Sequence, residues 1–276
     1  MIASQVIEKN GARIPVIGFG TMTLKDDLCI ELVEAALHLG YRHLDTAQMY
    51  GNEREVGEGL RHSGIKRAEV FVTTKVWFNR LRAGDFERSV DESLDRLALQ
   101  WVDLLLIHWP NAEVPLAESI ASLCKVKRAG LTRHIGVANF NTAMIADAVA
   151  LADEPLASLQ VEAHPYLDQS KVLAAAARYG LAVVGYCPLA RGQVPADPVL
   201  QRIGRAHAKT ASQAALRYLE QRTIIPIPRT SKRERLAENL GSLQFELSDG
   251  EMAEIANLRR PNARIVNPPQ APRWDE

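Results

Sequence analysis

Short apolar segments alternate with longer amphipathic segments along most of the chain. The short segments are rich in Val, Ile and Leu, which is typical of strands buried in a parallel sheet. The longer segments, such as 28–40 and 85–99, repeat apolar residues every three or four positions, and this spacing predicts helices. The predicted strands lie near 16–20, 43–47, 70–76, 102–108, 134–138, 158–163, 182–187 and 223–227.

Eight such strand–helix units with mostly short connections predict an α/β fold, a (β/α)8 TIM barrel that forms a single domain over residues 1–276. Before the first unit, Asn10 and Gly11 separate two alternating runs, and Asn-Gly supplies the positive φ angles of a type I′ turn. We therefore expect an N-terminal β-hairpin that caps the bottom of the barrel. The proline-rich segment 264–276 cannot form a helix, so we expect an extended arm on the surface.

An open doubly wound sheet is the competing architecture. It would require a glycine-rich turn after the first strand and an acidic residue at the end of the second. The segment GFGTM (18–22) lacks the third glycine of that turn, and no acidic residue closes a second strand at the usual spacing. The pattern therefore favours the barrel.

Composition and charge argue against several classes of function. Lys+Arg and Asp+Glu both number 33, so the basic excess of a nucleic-acid-binding protein is absent. Cys29, Cys124 and Cys187 are far apart and show no metal-ligand spacing, as expected of reduced thiols in the cytosol. The chain shows no apolar signal core and no apolar run near the ~18 residues that span a bilayer. Since no exposed apolar stripe is evident either, we expect a soluble, cytoplasmic monomer that binds neither nucleic acid nor membranes.

Four polar residues lie at or just beyond the ends of three apolar segments. Asp45 and Tyr50 belong to HLDTAQMY (43–50), Lys75 to VFVTTKV (70–76) and His108 to DLLLIHW (103–109). In a parallel barrel, reactive groups lie beyond the carboxyl ends of the strands. The sequence therefore predicts that a carboxylate, a phenol, an amine and an imidazole meet at one rim and form a proton-transfer site.

Seven segments resemble the aldo-keto reductases, in that family's order and at its spacings. They are GFGT (18–21), LDTAQMYGNE (44–53), TTKVW (73–77), LLLIHWP (104–110), IGVANF (135–140), QVEAHP (160–165) and IPRTSKRERLAEN (227–239). The short loops and total length are most similar to the bacterial 2,5-diketo-D-gluconate reductase type. The resemblance implies a barrel enzyme that reduces aldehydes and ketones to alcohols with a nicotinamide cofactor.

Carbonyl reduction requires a hydride at carbon and a proton at oxygen, and Tyr50 is the expected proton donor. The pKa of a free tyrosine is about 10, but an adjacent Lys75 ammonium would favour the phenolate and lower this pKa. Asp45 would keep Lys75 charged and oriented. His108 would donate a hydrogen bond to the carbonyl oxygen and stabilise its developing negative charge. The resemblance implies the same four roles at these positions.

Three other interpretations of these residues stay open from sequence alone. Asp45 and Lys75 could form a structural ion pair, with Tyr50 and His108 as ordinary hydrogen-bonded residues. Lys75 could form a Schiff base, although that role favours a lysine away from anions and Asp45 argues against it. A cofactor-binding regulatory or structural protein with little turnover is the third, and the presence of all four polar residues argues against it.

The resemblance also implies where the reactive end of the cofactor lies. Asn139 and Gln160 carry amides suited to the nicotinamide carboxamide, and Tyr186 would stack on the ring. The other expected contacts near this end are Gly20, Thr21, Met22, Asp45 and Leu189.

Several cations near the start of the last barrel helix predict a phosphate site at the adenosine end of the cofactor. An NADH-specific protein would place a carboxylate there instead, so we expect NADPH. The family commonly has Lys-Ser where this chain has Arg229-Thr230. This exchange keeps the positive charge but changes its geometry, so NADH stays open as a secondary cofactor. The expected phosphate-site residues are Arg229, Thr230, Lys232 and Arg235, and the resemblance implies that Glu238 and Asn239 lie near the adenine.

Aromatic residues beside the catalytic positions predict an apolar substrate slot. Trp77 and Trp109 would wall it next to Tyr50 and His108. Three further apolar residues are expected to complete the slot, namely Phe19, Met22 and Met49. Because the loops are short, we expect an open pocket for small aldehydes, α-dicarbonyls or keto-sugars.

Overall fold

The structure is a computed structural model that describes residues 5–275. Residues 1–4 and 276, which the predicted single domain and terminal arm include, lie outside the described residues. The extent of the domain remains a prediction.

The N-terminal hairpin forms as its Asn-Gly turn predicts. Strands β1 (Val6–Lys9) and β2 (Ala12–Pro15) pair antiparallel around Asn10 and Gly11, which both have positive φ. Ala12 and Ile14 are fully buried among the residues that fill the barrel interior. Asn10 Nδ2 donates to the carbonyl oxygen of Leu156, where an inner strand begins. The hairpin therefore caps the bottom of the barrel, opposite the carboxyl ends of the strands.

Eight parallel strands follow, and each pairs with the next in chain order. Their apolar composition predicts this, because strands of a parallel barrel are buried on both faces. They are β3 (Phe19–Gly20), β4 (His43–Asp45), β5 (Phe71–Val76), β6 (Val102–Ile107), β7 (Thr132–Ala138), β8 (Leu156–Glu162), β9 (Ala182–Tyr186) and β10 (Ile224–Pro226).

Two backbone hydrogen bonds close the sheet into a barrel. Gly18 N donates to Pro226 O at 3.0 Å, and Gly20 N donates to Pro228 O at 3.2 Å. A Cβ atom on Gly20 would lie 2.9 Å from the carbonyl oxygen of Ile227, so the two segments approach this closely only because residue 20 is glycine. The predicted (β/α)8 barrel is confirmed.

The helices cover the outside of the barrel. These helices are α1 (Asp26–Leu39), α2 (Glu53–His62), α3 (Asp85–Leu97), α4 (Leu116–Arg128), α5 (Thr142–Leu151), α6 (Ser170–Arg178), α7 (Pro198–Ala206), α8 (Ala211–Gln221), α9 (Arg233–Leu240) and α10 (Asp249–Ala256). On α3, the buried face that the spacing predicts is formed by Phe86, Val90, Leu94 and Leu97.

Among residues 5–275, no helix combines the length and the apolar character that a membrane crossing requires. The cytoplasmic location and the monomeric state remain predictions.

The segment after α10 runs back over the barrel as an extended arm. Residues 264–275 form neither helix nor strand. Ile265 N and Val266 N donate to the carboxylate of Glu162, and Thr142 donates to that of Asp275. This arm reaches the carboxyl ends of the strands, so the end of the chain contributes to the rim of the barrel.

Candidate active site

A buried ion pair lies at the rim where β4 and β5 end. Lys75 Nζ and Asp45 Oδ1 are 2.5 Å apart, and 0% and 1% of their side-chain areas are exposed. Lys75 also donates to the carbonyl oxygen of Thr46 at 2.8 Å and to Tyr50 Oη at 3.4 Å. The ammonium therefore has a partner for each of its three donors, and one of these partners is the phenol.

The carboxylate of Asp45 is fixed from both sides. Its Oδ2 accepts a hydrogen bond of 2.8 Å from Gln160 Nε2, which reaches across from β8. The backbone oxygen of Asp45 accepts hydrogen bonds from the N–H and the hydroxyl of Thr21. Because both carboxylate oxygens have partners, Asp45 orients Lys75 in one direction.

Tyr50 is held by the turn that follows β4. Lys25 Nζ donates to the backbone oxygens of Tyr50 and Gly51, and Gly51 takes the positive φ that ends the turn. Gln48 joins this turn to neighbouring elements, because it donates to Ser89 on α3 and accepts from the backbone N–H of Trp77. These bonds place the phenol over Lys75.

His108 follows β6 and faces the phenol. Its ring centroid lies 5.7 Å from that of Tyr50 and 5.0 Å from that of Trp77, edge-on in both cases. Burial, together with the charge of Lys75, lowers the pKa of His108 well below its usual value. His108 is therefore a neutral imidazole with one N–H, which suits hydrogen-bond donation to an oxygen and does not suit the role of an acid.

The pKa of Tyr50 shifts in the direction opposite to the expected one. Burial raises it well above its usual value, and the negative charge of Asp45 acts in the same direction. Burial also lowers the pKa of Lys75. Since Asp45 lies closer to Lys75 than the phenol does, the carboxylate offsets much of the positive field of the ammonium. The expected lowering of this pKa was wrong, and Tyr50 carries its proton at neutral pH.

A cavity of about 1150 Å³ extends from this site to the start of α9. Of the predicted catalytic and cofactor-binding residues, only Lys75 and Lys232 do not line it. Lys75 lies beneath Tyr50, and Lys232 is exposed just before α9, where its backbone N–H donates to Thr230 Oγ1. The lining includes Gly20, Thr21, Met22, Asp45, Tyr50, Trp77, His108, Trp109, Asn139, Gln160, Tyr186, Leu189, Arg229, Thr230, Arg235, Glu238 and Asn239.

The two predicted amides are also tied into the rim. Asn139 Nδ2 donates to the carbonyl oxygen of His108 at 2.9 Å, and Asn139 Oδ1 accepts from Tyr186 Oη at 2.7 Å. Gln160 uses one N–H on Asp45. Each amide nitrogen carries a second N–H, so these residues both organise the rim and keep a donor for a ligand.

Phe19 does not line the slot that the sequence predicts. It is fully buried, its ring centroid lies 6.0 Å from that of Tyr41, and it belongs to the core between barrel and helices. Side chains alternate along a strand, so Phe19 and Gly20 lie on opposite faces of β3. Met22 and Met49 do line the cavity.

Sequence analysis missed two groups of cavity residues. Arg191, Arg205 and Lys209 lie on the segment after β9, far from the recognised motifs, and they add positive charge to the cavity wall. The second group, which comes from the terminal arm, is Val266, Pro268 and Gln270. Positive charge after the Tyr186 strand was a usable signal for the first group, whereas no local pattern marks the second.

The cavity fits an elongated, negatively charged ligand such as a dinucleotide. Five cations line it, and the first turn of α9 adds the positive end of a helix dipole. Glu238, one turn further along α9, also lines the cavity, and its carboxylate accepts a hydrogen bond from the hydroxyl of Thr210. The five cations are Arg191, Arg205, Lys209, Arg229 and Arg235.

Comparisons with known proteins identify relatives that match nearly the whole chain. The sequence profile of the aldo/keto reductase family matches residues 16–260. Methylglyoxal reductase DkgB of Yersinia pestis is 42% identical over 266 residues, which are 95% of this chain and 99% of that protein. A crystal structure provisionally described as 2,5-diketo-D-gluconic acid reductase B is 50% identical, with a TM-score of 0.97 over 98% of this chain and 97% of that one. A Bombyx mori aldo-keto reductase in complex with NADP is 32% identical, with a TM-score of 0.87 over 92% of each chain.

We predict that Tyr50 stays protonated up to about pH 10, because burial and Asp45 both oppose the phenolate. Ultraviolet difference spectra of the native protein and Tyr50→Phe, titrated in parallel without cofactor, measure this directly. The two tyrosinate titrations should coincide below about pH 10. An additional tyrosinate in the native protein below about pH 9 would contradict the prediction, and circular dichroism checks that both proteins stay folded.

Proposed function

This chain belongs to the aldo/keto reductase family, and on that premise we propose that it reduces small aldehydes and ketones with NADPH, with Tyr50 as the proton donor. Membership makes it an oxidoreductase that acts on carbonyl groups with a nicotinamide cofactor, and this disfavours the alternative of a binding protein with little turnover. The observation that carries the residue assignment is the hydrogen-bonded series from Asp45 through Lys75 to Tyr50, beneath one large cavity.

Tyr50 supplies the proton that the carbonyl oxygen takes up. It is a neutral phenol at the cavity floor, and Lys75 donates a hydrogen bond to its oxygen. As the proton leaves, that bond joins an ammonium to a phenolate, so both partners are charged and the phenolate is stabilised. Asp45 keeps Lys75 in place for this. In the reverse direction, the same phenolate accepts a proton from an alcohol.

His108 holds the carbonyl oxygen in place for this proton transfer. A neutral imidazole next to Tyr50 donates an N–H to the same oxygen and stabilises the negative charge that develops there. Its edge-on contact with Trp77 and the bond from Asn139 to its backbone oxygen keep the ring in position. A donor of this kind contributes about 10²–10³-fold to turnover.

The nicotinamide end of the cofactor would lie between Tyr186 and the amides of Asn139 and Gln160. When bound, the cofactor supplies the hydride that reaches the carbonyl carbon. The hydroxyl of Tyr186 is anchored on Asn139, so the ring is fixed as a stacking surface. The second N–H of each amide is suited to the oxygen of the nicotinamide carboxamide.

The adenosine end would lie at the start of α9, and its charge favours NADPH over NADH. Arg229 and Arg235 line the cavity there, and Thr230 is buried beside them. Arg229 is held in place because its Nε donates to the backbone oxygen of Met22. Two guanidinium groups near a helix N-terminus suit the extra phosphate of NADPH.

The substrate would occupy the part of the cavity beside Trp77 and Trp109. The walls there are formed by the side chains of Trp77, Trp109, Met22 and Met49, and none of these four is charged. Such walls suit small, uncharged carbonyl compounds. Small aldehydes, α-dicarbonyls and keto-sugars meet this description, and methylglyoxal is the α-dicarbonyl that the Yersinia pestis relative is named for.

We predict that Tyr50→Phe lowers kcat for methylglyoxal about 10²–10⁴-fold, because it removes the proton donor and leaves the cavity shape nearly unchanged. The affinity for NADPH, measured by quenching of tryptophan fluorescence, should stay the same. Tyr179→Phe is the matched control, since it removes a hydroxyl that does not line the cavity. Turnover of Tyr50→Phe within about tenfold of the native value would rule out Tyr50 as the donor.

We predict that Arg235→Ala weakens NADPH binding about 10- to 100-fold and leaves NADH binding unchanged, because it removes a charge-assisted bond to phosphate. Fluorescence titration with each cofactor measures both constants. Arg233→Ala is the matched control, since Arg233 is an exposed cation of the same helix that does not line the cavity. Equal losses for both cofactors, or no loss for NADPH, would contradict the assignment.

A further inference from the structure

A buried carboxylate with no part in the proposed chemistry lies at the end of β8. Glu162 is fully buried, and it is the register partner of Tyr186 on β9. A buried carboxylate is unfavourable unless hydrogen bonds compensate for the lost hydration. Its partners therefore indicate what it does.

Two of the bonds to Glu162 come from the backbone of the terminal arm. Ile265 N donates to Oε1 at 2.7 Å, and Val266 N donates to Oε2 at 2.8 Å. His164 Nε2 lies 2.9 Å from Oε1 and is the partner from the barrel itself. The two arm N–H groups engage both oxygens, so the carboxylate binds the arm in one position and orientation.

The segment just beyond this clamp forms part of the cavity wall. Val266, Pro268 and Gln270 line the cavity. The arm is held again near its end, where Asp275 accepts from the N–H and the hydroxyl of Thr142. The wall is therefore a short, proline-rich span attached to the barrel at two points.

The part of the terminal arm that lines the cavity lies beside the predicted substrate slot. Trp274 packs edge-on against Trp109, with ring centroids 6.2 Å apart, and Trp109 lines the slot. The guanidinium carbon of Arg264 lies over the ring of Trp274, 3.7 Å from its centroid. A shift of the arm would therefore change the space beside Trp109.

We propose that Glu162 is a positioning residue that fixes the terminal arm as a wall of the substrate slot and so sets which carbonyl compounds fit. If the arm left, the carboxylate of Glu162 would lose both of these backbone hydrogen bonds and keep the contact with His164, and this loss opposes release. A fixed wall gives larger substrates a surface to contact, whereas the smallest substrates need only the catalytic residues. This inference rests on the proposed function for its effect on substrates, although not for the attachment of the arm.

The test is Glu162→Gln, which keeps one acceptor oxygen and places an NH2 group against one of the two N–H groups of the arm. Limited trypsin digestion followed by mass spectrometry measures release of the arm, through cleavage after Arg264. We expect cleavage about tenfold faster than in the native protein. The KM for phenylglyoxal should rise about tenfold, while the KM for methylglyoxal changes less than about twofold and NADPH affinity stays the same.

A second variant keeps the proposal testable if Glu162→Gln does not fold. Val266→Pro removes one donor from the arm and leaves the barrel unchanged, and it should reproduce both effects. Val266→Ala is its matched control, because it shortens the same side chain and keeps the N–H; it should not speed cleavage. Glu246→Gln, at a carboxylate that is 85% exposed, controls for the change of charge.

Native cleavage rates in both Glu162→Gln and Val266→Pro would overturn the attachment. Faster cleavage with an equal rise of KM for both dicarbonyls, or with no rise, would overturn the role in substrate choice. If the native protein reduces neither compound, the proposed function fails, and the cleavage comparison still decides whether Glu162 holds the arm.

Discussion

The buried ion pair of Lys75 and Asp45 is the interaction on which the site depends. Removing two charges from water is costly, and the pair is tolerated only because nearly every donor and acceptor has a partner. Those partners are Thr46, Tyr50 and Gln160, so the pair ties β4 and β5 to β8 across the barrel. Removing one member of such a pair typically costs about 3–5 kcal/mol, because the other charge stays buried alone.

Burial is the main cause of the pKa shifts of Tyr50 and His108 at the cavity floor, and the ion pair adds to each, through Asp45 for Tyr50 and through Lys75 for His108. A lone buried ammonium would act strongly on a phenol 3.4 Å away, but Asp45 neutralises much of its field. The phenol therefore keeps its proton and His108 stays neutral. In the proposed mechanism, these two residues face the same carbonyl oxygen, Tyr50 as proton donor and His108 as hydrogen-bond donor. The ammonium matters most after the proton has left, when it lies next to the new negative charge.

The part of the cavity that contains Tyr50 is separate from the part that would bind the phosphates of a dinucleotide. Arg229 and Arg235 line the cavity where α9 begins, whereas His108 and Trp77 line it near Tyr50. A dinucleotide bound along this cavity would place its phosphates among the cations and its reactive ring beside the phenol. Closure of the barrel through Gly18 and Gly20 brings β10, and with it Arg229, next to β3 and β4.

The strands and the meeting of Asp45, Tyr50, Lys75 and His108 at the rim could be predicted because their signals are local. A run of apolar residues marks a buried strand, and a polar residue at its end lies at the rim whatever the remaining packing is. The direction of the Tyr50 pKa shift could not be predicted, since it depends on burial by residues distant in sequence. Phe19 was misplaced because the inward or outward direction of a two-residue strand has no periodicity to reveal it. The contact of Glu162 with the arm joins residues 103 and 104 positions apart, so no segment of sequence contains it.

Asp45, Lys75 and Tyr50 are expected to act as one unit, and a double-mutant cycle measures the coupling of Asp45 to Lys75. Asp45→Asn, Lys75→Met and the double variant are compared with the native protein by kcat/KM for methylglyoxal, with folding checked by circular dichroism. If Asp45 acts through Lys75, Asp45→Asn costs much in the native background and little in Lys75→Met, with a coupling energy of about 1–3 kcal/mol. Losses that add within about 0.5 kcal/mol would show that the two residues act independently and would contradict the account.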